Sequence, residues 1–448
     1  MDFVFVKACA KLNLFLDITG KRDDGYHLLR SVMQSVDYFD YVKMQKSETL
    51  SVLCRNPSLN GEKNIAYKAA ALFFSETGIL GGASVYIDKR IPLEAGLAGG
   101  SADAAAVLFG LNELYETELS REKLCELGAQ CGADVPFSLT GSTMFCEGIG
   151  DIFTEAKPLP DCWILIVKPD LGMSTKESYR VYDEHGSESV EHGNFSSFGN
   201  ALAQQDLSAI GSRLFNVLES TVPGDEIGKI KDKLLQCGAV GSAMTGSGTA
   251  VFGLFDSEEK AVFAQKEFSD LYSTVFLARP TGYGVDFDES APVLEHLDRM
   301  GIPYERIDHP ALYTMEEMDA LGIFGKGTVG KNLFLRDNKG KRHFLVFICG
   351  DKKADLHAIE EKIGMKHCSF GSAERLSRYL GLTKGSVSPL GVINDKGAAV
   401  EFIFDSDFKP DMLVGVHPNQ NTSLLWLRFS DLLKVVEANG NSVRFVDI

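Results

Sequence analysis

A glycine-rich stretch, PLEAGLAGGSADAA, occupies residues 92–105. The Ala-rich, apolar run that follows as far as Leu114 predicts a helix. A glycine-rich turn that opens a helix directs free backbone N–H groups at one spot, and the helix dipole adds positive potential there. The spacing matches neither the Walker sequence, which ends in Gly-Lys-Ser/Thr, nor the dinucleotide fingerprint. We therefore predict a phosphate site at the start of this helix.

Two charged residues elsewhere in the chain add chemistry to that site. Lys11 lies among apolar neighbours, and Asp134 lies in a Gly-Ala-Asp-Val-Pro turn. Taken singly, the first is typical of a strand lysine whose ammonium reaches solvent, and the second of a turn or helix cap. Beside a phosphate site the pair suits phosphoryl transfer to an alcohol. The aspartate takes the hydroxyl proton, while the lysine and a metal ion balance the charge of the γ-phosphate.

The elements that would position these residues mix strands and helices without regular βαβ units, which predicts an α+β fold. A strand over residues 2–18 would carry Lys11, and a strand over residues 83–89 would lead into the glycine-rich turn. Residues 189–206 are rich in Ser, Gly, Asn and Gln and predict a loop. Near the other end of the chain, residues 391–394 predict a strand.

The length of 448 residues predicts about three domains. A short acidic segment with Gly at one end and Pro at the other is the best candidate for a linker. The predicted boundaries are 1–158 and 159–283 for two lobes of a first domain pair, 284–291 for the linker, and 292–448 for a separate C-terminal domain.

Composition is typical of a globular protein, with 44% hydrophobic and 24% charged residues. We expect a cytoplasmic protein without a membrane partner, because neither a signal peptide nor a long apolar run is visible. Nine scattered cysteines predict reduced thiols. The net charge of −17 argues against non-specific nucleic-acid binding by the chain as a whole, and we expect no DNA partner. Residues 286–448 carry 20 Lys+Arg and 24 Asp+Glu, a charge of −4, which leaves −13 for residues 1–285.

The first 283 residues resemble the galactokinase, homoserine kinase, mevalonate kinase and phosphomevalonate kinase superfamily. The segments that carry the resemblance are AKLNLFL (10–16), DGYH (24–27), the glycine-rich stretch, GADVP (132–136) and TGSG (245–248). Within the superfamily, KRDDGYH (21–27) is similar to the 4-diphosphocytidyl-2-C-methyl-D-erythritol kinases, which phosphorylate the 2-hydroxyl of their substrate in the non-mevalonate isoprenoid pathway. The resemblance implies a two-lobed small-molecule kinase fold.

That resemblance also implies roles for individual residues. Asp134 would be the catalytic base and Lys11 would orient it, with ATP and Mg²⁺ as cofactors and no ligands identified for the metal. His27 would bind the cytosine edge of a cytidine-diphosphate substrate, and Tyr26 and Tyr179 would bracket its ring, since base stacking on an aromatic face contributes about 1–3 kcal/mol. The implied ATP-binding residues are Pro92, Gly96, Leu97, Ala98, Gly99, Gly100, Ser101 and Ala102. The remaining implied substrate-binding residues are Asn13, Gly246 and Gly248.

The glycine-rich stretch departs from the superfamily pattern at two positions. Ala98 and Ala102 stand where Gly and Ser are expected. Both residues are small, but Ala98 costs more than Gly if its φ is positive. Two alternatives remain for this part of the chain: a kinase of another small alcohol such as homoserine, and a nucleotide sensor.

The C-terminal part resembles the editing domain associated with prolyl-tRNA synthetase, in its free-standing aminoacyl-tRNA deacylase form. The segments that carry the resemblance are HPALYT (309–314), KNLFLRD (331–337), LGLTKGSVSP (380–389), IND (393–395) and HPN (417–419). It implies a mixed α/β domain that hydrolyses a mischarged amino acid, alanine, from proline tRNA. Lys331 would anchor the terminal adenosine phosphate, the loop from Gly385 to Pro389 would hold the aminoacyl carbonyl, and His417 and Asn419 would line the pocket. A tRNA-binding module without activity is the alternative.

Overall fold

The structure is a computed structural model that describes residues 3–185, 191–309, 323–350, 352, 355–364 and 367–448. It divides into two compact units, Met1–Asp288 and Glu289–Ile448. Within the described ranges, no helix is both long enough and apolar enough to cross a membrane. The predicted α+β class is confirmed, since each unit combines sheets with helices.

The first unit contains twelve strands and nine helices among its described residues. The strands are β1 (Phe3–Lys21), β2 (His27–Ser47), β3 (Ser51–Cys54), β4 (Gly82–Asp88), β5 (Thr143–Glu147), β6 (Ile152–Glu155), β7 (Trp163–Lys168), β8 (Phe215–Asn216), β9 (Gly241–Met244), β10 (Val251–Phe255), β11 (Thr274–Ala278) and β12 (Val285–Phe287). The helices are α1 (Ile65–Thr77), α2 (Gly99–Leu114), α3 (Arg121–Ala129), α4 (Val135–Thr140), α5 (Thr175–His185), α6 (Phe195–Gln204), α7 (Leu207–Gly211), α8 (Glu226–Gln236) and α9 (Glu258–Ser269).

Two sheets organise these strands. The larger sheet has the order β12-β1-β2-β4-β3, with β5 paired to β2, β6 to β5 and β8 to β1, and the smaller sheet has the order β11-β7-β10-β9. β1 and β2 are antiparallel, and their register places Lys11 opposite Ser35 and Asn13 opposite Met33. The long β1 strand therefore fixes the position of the predicted catalytic lysine.

Among the described helices of the first unit, α2 has the largest number of buried residues. Ten of its sixteen residues are buried, and four of these ten are alanines between Ala102 and Ala106. Small side chains let the helix approach β1 and β2 closely, and at Gly110 a Cβ atom would lie 2.1 Å from Cε of Met44. The core thus holds the N-terminus of α2, and with it the glycine-rich turn, in a fixed position.

Three segments differ from the expectations above. Residues 195–204 form helix α6, because Asn194 caps it through Ser197 N–H and because Phe198, Ala201 and Leu202 bury one face. Val285–Phe287, inside the predicted linker, pairs as β12 with β1, so this stretch belongs to the first unit's sheet. The predicted strand at 391–394 is wrong: Pro389–Asn394 is a 3₁₀ helix, capped by the Ser388 hydroxyl. The division of the first unit into lobes at residue 158 stays a prediction.

The second unit contains two further sheets. Its strands are β13 (Glu305–Asp308), β14 (Thr328–Val329), β15 (Lys331–Asp337), β16 (His343–Ile348), β17 (Cys368–Phe370), β18 (Val400–Asp405), β19 (Leu413–Val416), β20 (Ser423–Arg428) and β21 (Val443–Val446), and its helices are α10 (Ala291–Arg299), α11 (Leu356–Ile363), α12 (Ala373–Leu380) and α13 (Phe429–Ala438). One sheet has the order β13-β20-β19-β14 and the other β17-β15-β16-β18-β21. Parallel and antiparallel pairs occur in both, as the expected mixed α/β domain requires.

Candidate functional site

A cleft of about 1010 Å³ opens in the first unit. Of the residues predicted for the kinase site, only Ala102 does not line it, because its side chain is fully buried in α2. The predicted residues that do line the cleft are Lys11, Asn13, Tyr26, His27, Pro92, Gly96, Leu97, Ala98, Gly99, Gly100, Ser101, Asp134, Tyr179, Gly246 and Gly248. The fold therefore brings residues from distant parts of the sequence to one surface.

The glycine-rich turn presents the N-terminus of α2 to this cleft. The capping residue is Ala98, which donates no side-chain cap and has a φ of 56°. The first intrahelical bond is donated by Ala102 N–H to the Ala98 carbonyl, so the N–H groups of Gly99, Gly100 and Ser101 have no helical acceptor. Three open donors and the positive end of a sixteen-residue helix form an anion site. The left-handed conformation of Ala98 costs about 1–2 kcal/mol, which a glycine would avoid.

Gly96 is required by a close approach between two loops. Its φ is +73°, and a Cβ atom there would lie 2.0 Å from the carbonyl oxygen of Thr245. The hydroxyl of Thr245 also donates to the Gly96 carbonyl over 3.4 Å. The side-chain amide of Asn216 donates to the carbonyls of Met244 and Gly246 at 2.8 Å each. The glycine-rich turn and the 245–248 loop are thus held together as one wall of the cleft.

Lys11 and Asp134 face each other across the cleft. Lys11 Nζ lies 3.9 Å from Asp134 Oδ2. The lysine side chain is buried and also donates to Asn13 Oδ1 over 2.5 Å, whereas a third of the aspartate side chain is exposed. Asp134 is the N-cap residue of α4, yet its carboxylate accepts no capping bond from that helix. The carboxylate is therefore available to a ligand, and the ammonium beside it holds it in place.

Asn13 is fixed from three directions. Its N–H donates to Thr245 Oγ1 over 2.9 Å, and its side-chain amide donates to Ser31 Oγ over 2.8 Å. The Ser31 hydroxyl in turn donates to the Phe15 carbonyl. With its amide nitrogen occupied, Asn13 presents its oxygen to Lys11, which orients the ammonium.

The aromatic end of the cleft is formed by His27 and Tyr179. Their rings stack with centroids 4.8 Å apart and an interplanar angle of 25°. His27 Nε2 lies 2.7 Å from Asp183 Oδ1, and the other oxygen of that carboxylate accepts from Lys21 Nζ over 2.6 Å. Tyr26 lines the same region with 60% of its surface exposed. Burial, and after it the charge of Asp134, raises the pKa of the Tyr179 hydroxyl, so this group stays protonated.

A buried charge cluster lies under the glycine-rich turn. Lys89 Nζ donates to Asp40 Oδ2 over 2.5 Å and to Asp103 Oδ2 over 2.7 Å, and all three side chains are almost fully buried. Asp40 Oδ1 also accepts the N–H groups of Arg90 and Ile91. Burial raises the pKa of Asp103, with a further contribution from the charge of Asp40. Lys89 itself lines the cleft, so the cluster ties the end of β4 to the first turns of α2.

In the second unit, the predicted editing residues lie on separate elements. Lys331 begins β15 and donates from Nζ to the Lys352 carbonyl over 2.7 Å. His417 follows β19, and its Nδ1 lies 2.9 Å from the Ser423 carbonyl. Burial lowers the pKa of His417, which favours the neutral ring. Asn419 has a φ of 64°, and its buried Oδ1 has no hydrogen-bond donor among the described residues.

The Gly385 loop is shaped by its own backbone and by a serine. Gly385 has a φ of 97°, and the Ser386 hydroxyl donates to the Thr383 carbonyl. Pro389 opens the 3₁₀ helix that follows. The rings of His309 and His417 meet edge to face at 5.7 Å. Residues 310–314, which contribute to the resemblance, lie outside the described residues.

The comparisons with known proteins agree with this geometry. Residues 64–142 match the GHMP kinases N terminal domain and residues 187–274 match the GHMP kinases C terminal domain. The 4-diphosphocytidyl-2-C-methyl-D-erythritol kinase of Clostridioides difficile is 40% identical over 292 residues, which cover 64% of this chain and 98% of the relative. The chain belongs to the 4-diphosphocytidyl-2-C-methyl-D-erythritol kinase family. Residues 309–435 match the aminoacyl-tRNA editing domain, so a family kinase is followed here by an editing domain.

Solved structures show the same kinase fold. A crystal structure of 4-(cytidine 5'-diphospho)-2C-methyl-D-erythritol kinase is 30% identical, with a TM-score of 0.54, and covers 62% of this chain and 99% of its own. The homoserine kinase of Cytophaga hutchinsonii, at 18% identity and a TM-score of 0.52, covers 64% of this chain and 98% of its own. At that identity the second likeness concerns the fold alone. Both parts of the predicted resemblance are thus confirmed.

Sequence reasoning missed three residues that shape the site of this family kinase. Lys89 was missed because its partners, Asp40 and Asp103, are 49 and 14 residues away. Asp183, which holds His27, and Asn216, which holds the 245–248 loop, are also distant in sequence from what they contact. The sequence shows only that Lys89 ends a strand with alternating apolar residues, and this pattern does not identify the residues that Lys89 contacts.

Proposed function

We propose that the first unit transfers the γ-phosphoryl group of ATP to the 2-hydroxyl of 4-diphosphocytidyl-2-C-methyl-D-erythritol. The observation that carries this proposal is the 3.9 Å approach of Lys11 Nζ to Asp134 Oδ2 in the cleft that also contains the N-terminus of α2. A base, a cation and an anion site in one cleft are the groups that phosphoryl transfer to an alcohol needs. Family membership supports the choice of alcohol.

The phosphates of ATP bind at the first turn of α2. The N–H groups of Gly99, Gly100 and Ser101 donate to phosphate oxygens, and the helix dipole favours their charge. Gly96, Leu97 and Ala98 shape the turn, and Pro92 begins it. The Gly246–Gly248 loop, bound to Gly96 through Thr245, closes the same wall beside the substrate.

Asp134 acts as the base and Lys11 positions it. The carboxylate takes the proton of the 2-hydroxyl while the hydroxyl oxygen forms a bond to the γ-phosphorus. The bond from that phosphorus to the β,γ-bridging oxygen breaks, which leaves ADP. The Lys11 ammonium, oriented by Asn13, offsets the negative charge that gathers between the carboxylate and the phosphoryl group.

The cleft can also accept Mg²⁺ together with ATP. Mg²⁺ usually takes one or two protein oxygens and fills its other positions with phosphate oxygens and water. Ser101 Oγ lies 3.9 Å from where a Cβ atom of Gly132 would be, so this hydroxyl is close to the turn that carries Asp134. Ser101 and Asp134 would hold the ion, which supplies charge balance for the phosphates. Within the described part of the chain no group of three or more His, Cys, Asp or Glu could hold a metal alone.

The cytidine head would bind at the aromatic end of the cleft. Tyr26 and Tyr179 offer ring faces, and His27 offers a ring nitrogen to the edge of the base. Because Nε2 of His27 faces the Asp183 carboxylate, Nδ1 is the nitrogen left for the cytosine. Aromatic ring faces with an edge contact suit a pyrimidine and give no reason to prefer a small amino acid.

Thermal protection separates this substrate from that of a homoserine kinase. We expect a cytidine-diphosphate compound to raise the melting temperature of the first unit, because its base would contact the aromatic end of the cleft. Homoserine should leave the melting temperature unchanged. The measurement is a thermal unfolding curve of the full chain with each compound in the presence of ATP. Protection by homoserine and none by the cytidine compound would support the alternative.

For the second unit we propose hydrolysis of alanine from mischarged proline tRNA. The match of residues 309–435 to the aminoacyl-tRNA editing domain supports this activity. Lys331 would pair with the phosphate of the terminal adenosine, and the Gly385–Pro389 loop would hold the aminoacyl carbonyl. His417, kept neutral by burial, and Asn419, whose buried Oδ1 can accept a hydrogen bond, would line the pocket for the amino acid.

The Lys331→Ala variant tests the editing site. We expect roughly 10- to 150-fold slower deacylation of Ala-charged proline tRNA than in the wild type, since a hydrogen bond to a charged group contributes about 1.5–3 kcal/mol. Lys396, an exposed lysine of the same unit, provides the control, and Lys396→Ala should leave the rate unchanged. Absence of hydrolysis by every protein tested would favour a tRNA-binding module.

A further inference from the structure

Five cations of the second unit lie around one end of the β15–β16 hairpin and on α12. We call them the basic face: Arg336, Lys339, Lys341, Arg375 and Arg378. Within the described residues, none of them has a carboxylate within ion-pair distance, whereas the neighbouring Arg342 is paired with Glu401. An unneutralised group of cations is unusual in a chain of net charge −17.

Direct contacts hold these residues together. Arg375 Nη1 donates to the Gly340 carbonyl in the hairpin turn over 3.1 Å and lies 2.9 Å from Nε2 of His343. The His343 ring packs against Tyr379 with centroids 4.1 Å apart, and the Arg378 guanidinium lies 5.8 Å from the same Tyr379 ring. Helix α12 and the hairpin turn therefore form one continuous surface.

The pKa of His343 also reflects the closeness of three arginines of the basic face. Burial lowers the pKa of this imidazole, and the charges of Arg375, Arg336 and Arg378 lower it further, against an opposing contribution from Asp337. Three guanidinium groups are thus close enough to disfavour a fourth positive charge. His343 stays neutral, and the basic face keeps its charge on the arginines and lysines.

The local balance of charge is positive. Two acidic groups accompany the five cations: Glu374 in the first turn of α12, and Asp337, whose Oδ1 accepts the N–H groups of Lys341 and Arg342. Lys339, Lys341 and Arg378 are exposed to solvent. The surface is therefore accessible and would attract a polyanion at close range, within a Debye length of about 8–10 Å.

We propose that the basic face docks the phosphate backbone of the tRNA acceptor stem; this inference rests on the editing function proposed above. Guanidinium groups bind phosphate oxygens in a bidentate manner, and clustered lysines add charge. Because residues 286–448 as a whole have a charge of −4, a local excess of cations is needed to hold a nucleic acid.

The elements that carry the basic face also carry the residues proposed for the aminoacyl end. Strand β15 begins at Lys331 and contains Arg336 near its other end. Helix α12 contains Arg375 and Arg378, ends at Leu380, and leads into the loop that begins at Gly385. A tRNA held by the basic face is therefore held by the same strand and helix that position the proposed editing residues.

A charge-reversal variant tests the docking surface. The variant is Lys339→Glu/Lys341→Glu/Arg378→Glu, and the matched control is Lys396→Glu/Lys409→Glu/Lys434→Glu, three exposed lysines of the same unit with the same change in net charge. Binding of uncharged proline tRNA to the full chain is measured at salt concentrations between about 50 and 200 mM, where phosphate contacts make the affinity depend on salt. Each phosphate contact releases roughly 0.7–0.9 counterions and contributes that amount to the slope of log K against log salt. We expect the variant to bind at least about tenfold more weakly than the wild type. We also expect the slope of log K against log salt to become less negative by about two.

The control should stay within about twofold of the wild type, because screened charges elsewhere contribute little. Equal weakening in variant and control, no change in either, or no binding by the wild type would each overturn the proposal. Deacylation of Ala-charged proline tRNA separates the two claims. Wild-type hydrolysis with an unaltered rate in the basic-face variant would reject the docking surface and keep the editing function. Salt-dependent binding through the basic face without hydrolysis would reject the editing function and keep the docking surface.

Discussion

Replacing Asp134 with alanine should lower kcat of the kinase by on the order of 10²–10⁴, the usual contribution of a general base. The carboxylate is partly exposed in the cleft, lies 3.9 Å from Lys11 Nζ and makes no capping bond to α4. Its removal therefore takes away the proton acceptor, while Lys11 keeps its bond to Asn13 Oδ1. Steady-state kinetics with both substrates varied would show the loss in kcat.

A surface aspartate of the same unit provides the control for that variant. Asp256 pairs with Lys260 at about half exposure and lies outside the cleft, so Asp256→Ala should retain normal turnover. Near-normal kcat in Asp134→Ala would reject the assignment of the base. A fall in kcat of both variants would indicate general loss of folded protein, which a melting curve detects.

Replacing Lys89 with methionine should destabilise the first unit by about 3–5 kcal/mol, the typical cost of removing one partner from a buried ion pair. Methionine keeps much of the volume but leaves Asp40 and Asp103 facing each other in the core with no cation between them. The first turns of α2 lose their tie to the end of β4, so the KM for ATP should rise as well. Urea unfolding of the full chain reports the stability through Trp163 fluorescence in a Trp426→Phe background.

An exposed ion pair gives the matched comparison. Lys260→Met removes a lysine that pairs with Asp256 at the surface, and such pairs contribute about 0–1 kcal/mol. A loss from Lys89→Met no larger than that from Lys260→Met would contradict the view that the buried cluster supports the phosphate site.

The chemistry of the site could be predicted from sequence where residue type and local context carry it. The glycine-rich turn predicts an anion site, because small residues just before a helix allow a tight turn that leaves the first backbone N–H groups open to a ligand. The φ values of +73° at Gly96 and 56° at Ala98 agree with such a turn. The cluster at Lys89 could not be predicted, because the pairing of β2 with β4 and the packing of α2 bring its members together. Long-range pairing leaves no local pattern.

The secondary-structure predictions were wrong where the local composition favours one structure and the tertiary contacts impose another. Residues 189–206 are rich in Ser, Gly, Asn and Gln, yet the spacing of Phe198, Ala201 and Leu202 puts three apolar side chains on one helical face, and this periodicity was the better signal. The stretch predicted as a linker becomes a strand because β1 extends far enough to pair with Val285–Phe287. In the second unit, Pro389 starts a 3₁₀ turn because its fixed φ suits the first helical position.

The most direct test of the central claim is ADP release by the wild-type chain with ATP, Mg²⁺ and 4-diphosphocytidyl-2-C-methyl-D-erythritol. The geometry of Lys11, Asp134 and the α2 N-terminus predicts ADP formation that requires this alcohol, with one equivalent of phosphorylated product for each ADP. ADP release that does not depend on the alcohol, or that occurs with homoserine in its place, would contradict the account.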